Sequence, residues 1–191
     1  MRPRSDPWLV AGLVGLTGFF VLEALLRDRG PNASSLAASD DDRSTTAAVG
    51  SASALTLALA PVVRLVPVAR LPPVAGGVGV VAEGAGLALR AWSMRTLGRH
   101  YSRTLRTAAG PTVDGGPYAV VRHPGYAGSL LVWTGFALAT RSPLVVVLVA
   151  VALGGAYRRR IGVEERLLAR DLPDYAAYAR RTPWRVVPGV W

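Results

Sequence analysis

The apolar positions of this chain fall into long runs separated by charged or proline-rich breaks. Trp8 to Leu26 is 19 residues long with one charge, Glu23. At 1.5 Å per residue it reaches roughly 30 Å, the thickness of a bilayer's hydrocarbon core, so it predicts a membrane-spanning helix. Its length and the internal Glu23 argue against a cleaved signal peptide. Gly12, Gly15 and Gly18 recur every three residues, a spacing that lets another helix approach closely. Arg27 to Arg43 is a polar loop with Pro31, Asn32 and the run Asp40, Asp41, Asp42. Ser44 to Val63 then gives 20 uncharged residues, a second span, which Arg64, Pro67, Arg70, Pro72 and Pro73 end. A third span runs from Val74 to about Trp92. It carries Glu83 and Arg90 seven residues apart, on one helical face two turns from each other.

A polar stretch from Arg95 to His123 follows, with the turn signal Asp114-Gly115-Gly116-Pro117 inside it. Pro124 suits the first turn of a fourth helix, Gly125 to Thr140. Arg141-Ser142-Pro143 supplies a turn, an N-cap and a first-turn proline for a fifth span, Leu144 to Tyr157, which folds back on the fourth. Nothing stops that helix at the membrane surface, so it is expected to continue through Arg158-Arg159-Arg160 and Glu164-Glu165 to about Asp171, where Pro173 ends it. A short amphipathic helix over Tyr175 to Arg181 closes at Thr182-Pro183. The pattern predicts an all-α integral membrane bundle of four or five transmembrane helices in a single domain over residues 1–191. In the four-span alternative the second segment is re-entrant.

Composition agrees. Apolar residues make up 51% of the 191 and charged residues 18%, with mean hydropathy +0.32, too hydrophobic for an ordinary soluble domain. The absence of Cys excludes disulfides, thiolate metal sites and a Cys nucleophile. Only His100 and His123 supply imidazole, too few for a structural zinc site. All 22 basic residues are Arg, against 12 acids, for a net charge of +10. With five spans and a cytosolic carboxyl terminus, sixteen of those Arg lie in inside segments and five in outside ones, which orients the protein. The charge is thus absorbed by cytosolic loops, and nothing separate points to nucleic acid. The Arg-only, Ala-, Gly- and Val-rich composition fits a GC-rich bacterial genome, so a bacterial inner (cell) membrane is the expected location.

Ionisable groups clustered where an apolar helix meets the cytosol are the informative feature, because burial there is costly unless they pair or bind something. One cluster is Gly116-Pro117-Tyr118 followed by Arg122-His123-Pro124-Gly125-Tyr126-Ala127-Gly128. The other is Arg160 to Glu165, then Tyr175, Tyr178 and Arg181. The antiparallel fourth and fifth spans must bring the two together.

These residues resemble the isoprenylcysteine carboxyl methyltransferases and related membrane methyltransferases. The resemblance rests on GPY at Gly116–Tyr118, RHPGYAG at Arg122–Gly128, RIGVEERLL at Arg160–Leu168 and YAAYARRTP at Tyr175–Pro183, with LGRHYS at Leu97–Ser102 upstream. The ordered set is specific where single motifs are not. It implies a methyltransferase core over about residues 74–188, preceded by spans 8–26 and 44–63, in which cytosolic carboxyl-terminal helices cap a cofactor pocket. It also implies S-adenosylmethionine as methyl donor and a lipidic or prenylated carboxylate as acceptor.

The donor carries a carboxylate, an ammonium, a sulfonium and an adenine, and the residue types match. His123 or Arg122 can hold the carboxylate. Glu164 or Glu165 can accept from the ammonium or a ribose hydroxyl, and Tyr126 or Tyr118 can face the sulfonium. Pro124 opens the helix that presents them, and Gly125 and Gly128 let backbone approach the donor. Arg160 and Glu164, four apart, can orient each other. Methyl transfer to a carboxylate needs no general base, so positioning and desolvation suffice, with Arg160 or Arg181 as the acceptor's anchor. Glu83, Arg90, Tyr175 and Tyr178 are candidates for the acceptor cavity, although Glu83 and Arg90 can instead pair with each other. Arg99 and His100 fall in a loop that the family uses near the donor. For an amine or thiol acceptor, proton removal would bring in Glu83, Glu164 or His100. A non-catalytic membrane module of the same fold and a membrane reductase, some of which resemble this family in their carboxyl-terminal half, are the remaining alternatives.

Overall fold

A computed structural model describes residues 6–26, 42, 44–63, 65–98 and 112–191. The loop from Arg27 to Asp41, and Arg99, His100, Arg103 and Arg106 with the end of the LGRHYS motif, lie outside the described residues. Six α-helices follow in order: α1 Pro7–Leu26, α2 Thr45–Val63, α3 Pro73–Leu97, α4 Pro124–Ala139, α5 Pro143–Asp171 and α6 Tyr175–Arg181, with a 3-10 turn at Gly116–Ala119 before α4. The structure is a helical membrane bundle, and among the described residues there is no strand.

Proline sets most of the boundaries. Prolines occupy the first helical positions of α3, α4 and α5, where a missing N–H costs nothing. α5 runs 29 residues, as its unbroken pattern requires, and Leu172 closes it by donating its N–H to the Leu168 carbonyl at 2.9 Å. Two local details differ from the sequence reading. Ser142 stands at the N-cap of α5, but its hydroxyl makes no capping bond, and the Thr140 hydroxyl accepts from the Ser142 N–H instead. Asp42, three residues before α2, caps it, with Oδ2 accepting from the Thr46 N–H at 3.0 Å.

Three helices, α1, α2 and α3, are long and apolar enough to cross a membrane. α4 has 16 residues, about 24 Å at the helical rise and short of a full span. Only the first half of α5 is apolar. The two form the expected hairpin, turned at Arg141, which adopts φ +56° while its Nε donates to the Leu71 carbonyl at 2.9 Å.

α3 and α4 pack closest, and glycine is the reason. Gly79 faces Gly135 and Gly86 faces Gly128, seven residues apart on each antiparallel helix. A Cβ at Gly86 would fall 2.6 Å from the Gly128 carbonyl oxygen, and one at Gly128 would fall 2.7 Å from that of Gly86. α1 lies against both helices through Gly12, Gly15 and Gly18, the helix-packing one of the two readings that their spacing allowed, the other being plain lipid-facing glycine. α5 lies beside α4, and α2 packs on α5. The apolar core joins Leu16 and Phe19 of α1 to Trp133 and Phe136 of α4 and to Val149 and Leu153 of α5.

Two acids punctuate the interior. Glu23 of α1 pairs with Arg90 of α3 at 2.5 Å, and Arg90 also donates to the Gly125 carbonyl at 2.8 Å and to Ser129 Oγ at 2.7 Å. One guanidinium thereby ties three helices together at the end where α4 begins. Arg90 does not pair with Glu83. Glu83 sits two turns away, 1% exposed, above Gly15 and beside Gly135, and among the described residues neither of its oxygens has a hydrogen-bond partner.

Candidate functional site

The site forms where the start of α4 meets the charged second half of α5. His123 occupies the N-cap of α4, and its ring stacks on Tyr126 with centroids 5.6 Å apart and planes 11° from parallel. Three positions along a helix put both rings on one face, which the fold-back of α5 then covers. From α5, Glu164 Oε2 accepts from the Tyr126 hydroxyl at 2.5 Å, and Arg160 Nε donates to the same hydroxyl at 2.7 Å. The Arg160 guanidinium also lies over the Tyr126 ring, 5.6 Å from its centroid. Arg160 and Glu164 thus orient each other through Tyr126.

Glu165 faces the other way and gathers cations. Its Oε1 lies 2.8 Å from an Arg122 guanidinium nitrogen and 3.3 Å from His123 Nε2, and its Oε2 lies 2.8 Å from Arg185. Burial works to raise the Glu165 pKa, but hydrogen bonds from His123, Arg185 and Arg122 outweigh it and hold the carboxyl at about 2. Arg122 also donates to the carbonyls of Thr182 and Pro183, both at 2.8 Å.

The carboxyl-terminal segment is clasped against this hub. The backbone N–H groups of Arg122 and His123 donate to the Trp184 and Arg185 carbonyls at 2.9 and 2.8 Å. The Tyr178 hydroxyl donates to the Tyr118 carbonyl at 2.8 Å. Tyr118 is positioned by the 3-10 turn, whose Gly116 takes φ +57°, a conformation that favours glycine. Desolvation raises the pKa of Tyr178 to about 12 and that of Tyr175 further still. Tyr175 is buried, and its hydroxyl has no hydrogen-bond partner among the described residues.

The residues expected from the sequence are therefore divided by the fold. His123, Tyr126, Arg160, Glu164, Glu165 and Arg122 converge, with Tyr175 and Tyr178 behind them. Arg160 is 4% exposed and donates inward to Thr46 and Tyr126, so it does not stand at an open membrane edge as an acceptor anchor would. Arg181 lies apart, bound to Asp114 at 3.0 Å with both side chains more than half exposed. Gly128 and Gly125 face α3 rather than the His123 and Tyr126 rings, and Gly128 serves helix packing. Three contributors escaped the sequence reading: Arg185, Asp42 and Thr46. Arg185 follows the RTP motif by two positions, and Asp42 stood in the sequence only as the last of an acidic run in a polar loop. Among the described residues no three His, Asp or Glu side chains gather to hold a metal ion.

The sequence pattern of the phospholipid methyltransferases matches residues 74–174, from the start of α3 through the end of α5. The chain belongs to the phospholipid methyltransferase family. The match contains every residue of the His123–Tyr126–Glu164–Glu165 convergence, and the resemblance to membrane methyltransferases read from the motifs holds at that level. The protein is an integral membrane member of the family, with α1, α2 and α6 outside the matched stretch. The chain is also similar to the cobalt-zinc-cadmium resistance protein CzcN of Cupriavidus metallidurans, 42% identical over 71 residues. That alignment covers 37% of this chain and 33% of the relative. It is 33% identical over 93 residues to the nickel-cobalt-cadmium resistance protein NccN of Alcaligenes xylosoxydans xylosoxydans, covering 48% of this chain and 44% of the relative. The matched stretch thus spans less than half the length of either relative.

Proposed function

We propose that the chain is a membrane methyltransferase that uses S-adenosylmethionine and methylates the carboxylate of a lipidic or prenylated acceptor drawn from the bilayer. The observation that carries this reading is the Tyr126 hydroxyl held between Arg160 and Glu164, with His123 stacked on the same ring. The residues fit the donor. Glu164 accepts one bond through Oε2 and keeps a second oxygen for an ammonium, and the buried Tyr175 hydroxyl is a polar atom in want of a partner. His123 and Tyr126 give flat faces, and Arg185, its side chain 40% exposed, offers a cation for a carboxylate. Arg122, occupied by Glu165 and two carbonyls, instead fastens the carboxyl-terminal cover.

When bound, the donor supplies an electrophilic methyl on a cationic sulfur, which a carboxylate oxygen takes as the carbon–sulfur bond breaks, leaving a neutral ester and a thioether. Opposite charges are consumed, so an environment that excludes water favours the step. The chain's residues hold and orient, and no protein atom exchanges a proton in this reading. Acceptors enter between α3, α4 and α5, with Glu83 and Arg90 toward the interior and Tyr175 and Tyr178 at the cover.

A second reading, methylation of a phospholipid amine, is favoured by the description of the family. It requires removal of an ammonium proton, for which Glu164 is the candidate acceptor in the convergence. One experiment separates the two. Membranes or lipid extracts are incubated with methyl-labelled donor and the purified protein, and the labelled product is treated with alkali. A carboxyl ester releases labelled methanol, whereas an N-methyl group keeps its label. Absence of label with wild-type protein, alongside no binding of S-adenosylhomocysteine, would overturn both readings and leave a non-catalytic module.

A further inference from the structure

We propose that Asp42 and Thr46, at the start of α2, are positioning residues for the donor site, acting through Arg160 and Tyr126 to fix Glu164 as a hydrogen-bond acceptor. The inference rests on the donor-site reading above, but it concerns residues outside the stretch that defines the family.

The direction of the hydrogen bonds carries it. A guanidinium has five donors and no acceptor, so each hydroxyl that it contacts must accept from it and turn its own proton elsewhere. Arg160 donates through one terminal nitrogen to Thr46 Oγ1 at 2.8 Å, and the Thr46 hydroxyl proton goes to Asp42 Oδ1 at 2.9 Å. Arg160 donates through Nε to the Tyr126 hydroxyl, whose proton then goes to Glu164 Oε2. The chain of bonds therefore runs outward from Arg160 in both directions and ends on a carboxylate at each side. The Tyr126 proton is thereby aimed at Glu164 Oε2, which holds that carboxyl group in one orientation as an acceptor, the role that recognition of an ammonium demands.

The Asp42 end is buried and hydrogen-bonded. Asp42 caps α2 through the Thr46 N–H and accepts from the Thr45 hydroxyl at 2.9 Å, and both Asp42 and Thr45 are fully buried. Arg160 also lies 3.6 Å from Asp42 Oδ1. A buried polar chain of this kind costs desolvation that simple packing of α2 on α5 does not require. Its effect is to hold one guanidinium in one orientation. Thr46→Val keeps the side-chain volume and removes one acceptor of the Arg160 guanidinium, which loosens its hold on the Tyr126 hydroxyl.

The test is titration calorimetry with S-adenosylhomocysteine on the full chain in detergent, with thermal unfolding measured in parallel. Thr46→Val is expected to weaken binding about tenfold, the size of one lost charge-assisted bond. Thr46→Ser, which restores the hydroxyl, should return to within about twofold of wild type. Because Thr46 acts through Tyr126, the double variant Thr46→Val/Tyr126→Phe should bind no more weakly than Tyr126→Phe alone. Wild-type affinity in a folded Thr46→Val variant would overturn the proposal, as would losses that add in the double variant, since a merely structural role predicts addition. Should Thr46→Val not fold, Asp42→Asn carries the test. It keeps the cap's shape but drops its charge, and severalfold weaker binding is expected, with unchanged affinity overturning the proposal. Failure of the wild-type protein to bind would instead strike the donor-site reading, and the positioning role with it.

Discussion

Tyr126 of α4 and Glu164 of α5 are separated by 38 positions in sequence and joined by a hydrogen bond of 2.5 Å. That bond closes the gap between the two motif clusters, and it is the narrowest point of contact between the aromatic face and the acidic face of the site. Tyr126→Phe removes the hydroxyl while keeping the ring that stacks on His123. We expect it to weaken S-adenosylhomocysteine binding about tenfold, or ~1.4 kcal/mol, with little change in unfolding temperature. Calorimetry decides it, and an unaltered affinity would make the hydroxyl a packing detail.

Glu165 makes the structure sensitive to acid. Its carboxyl is held at about 2 against an ordinary value of 4.5, so the folded state binds its proton less readily than the unfolded chain. A depressed pKa contributes stability that is fully present above the unfolded value, here above about 4.5, and is lost as pH falls toward 2. The shift corresponds to about 3 kcal/mol at neutral pH as an upper limit. Unfolding in detergent followed from pH 6 down to pH 3 should show wild type losing stability faster than Glu165→Gln. Parallel curves would remove Glu165 from the acid response.

The Glu23–Arg90 pair is expected to behave as a buried ion pair. Glu23→Ala leaves the guanidinium of Arg90 without its carboxylate in an apolar setting, at a cost of about 3–5 kcal/mol. The double variant Glu23→Leu/Arg90→Met should recover much of that loss, because it removes both desolvation penalties at once. Thermal unfolding of the two proteins compares them directly, and a double variant less stable than Glu23→Ala would contradict the pairing.

Glycines of α3 should fall into two classes. Gly86 faces the Gly128 carbonyl so closely that a methyl group must push α3 and α4 apart, whereas Gly84 faces open space with nothing within 4 Å. Gly86→Ala should lower the unfolding temperature by several degrees, and Gly84→Ala should leave it unchanged or raise it slightly through helix propensity. Equal effects at the two positions would mean that the helices do not touch along this line.

Much of this architecture is written in the order of the residues. Prolines at 73, 124, 143 and 173 punctuate the helices, and uncharged runs of Ala, Val and Leu set their lengths, because a break in backbone hydrogen bonding is a local event. The motifs around His123 and Glu164 likewise announced that two distant segments meet, since an antiparallel hairpin leaves their ends no other place. Sequence could not assign partners within the meeting. Glu164 and Glu165 are neighbours in sequence, yet the 100° turn between them on a helix sends one to Tyr126 and the other to two guanidinium groups and an imidazole. Arg90 was equally suited to Glu83 on its own helix and to Glu23 on another, and only the close approach of α1 over its glycines chose Glu23. Arg181 and Arg185 are both cations of the same closing segment. The backbone pairing of Trp184 and Arg185 with Arg122 and His123 carried one into the site and left the other in solvent. Local chemistry thus decided where helices begin and end and which residue types gather. The direction of each buried charge was decided by packing, because burial makes a charge's energy depend on the few atoms that reach it across the fold.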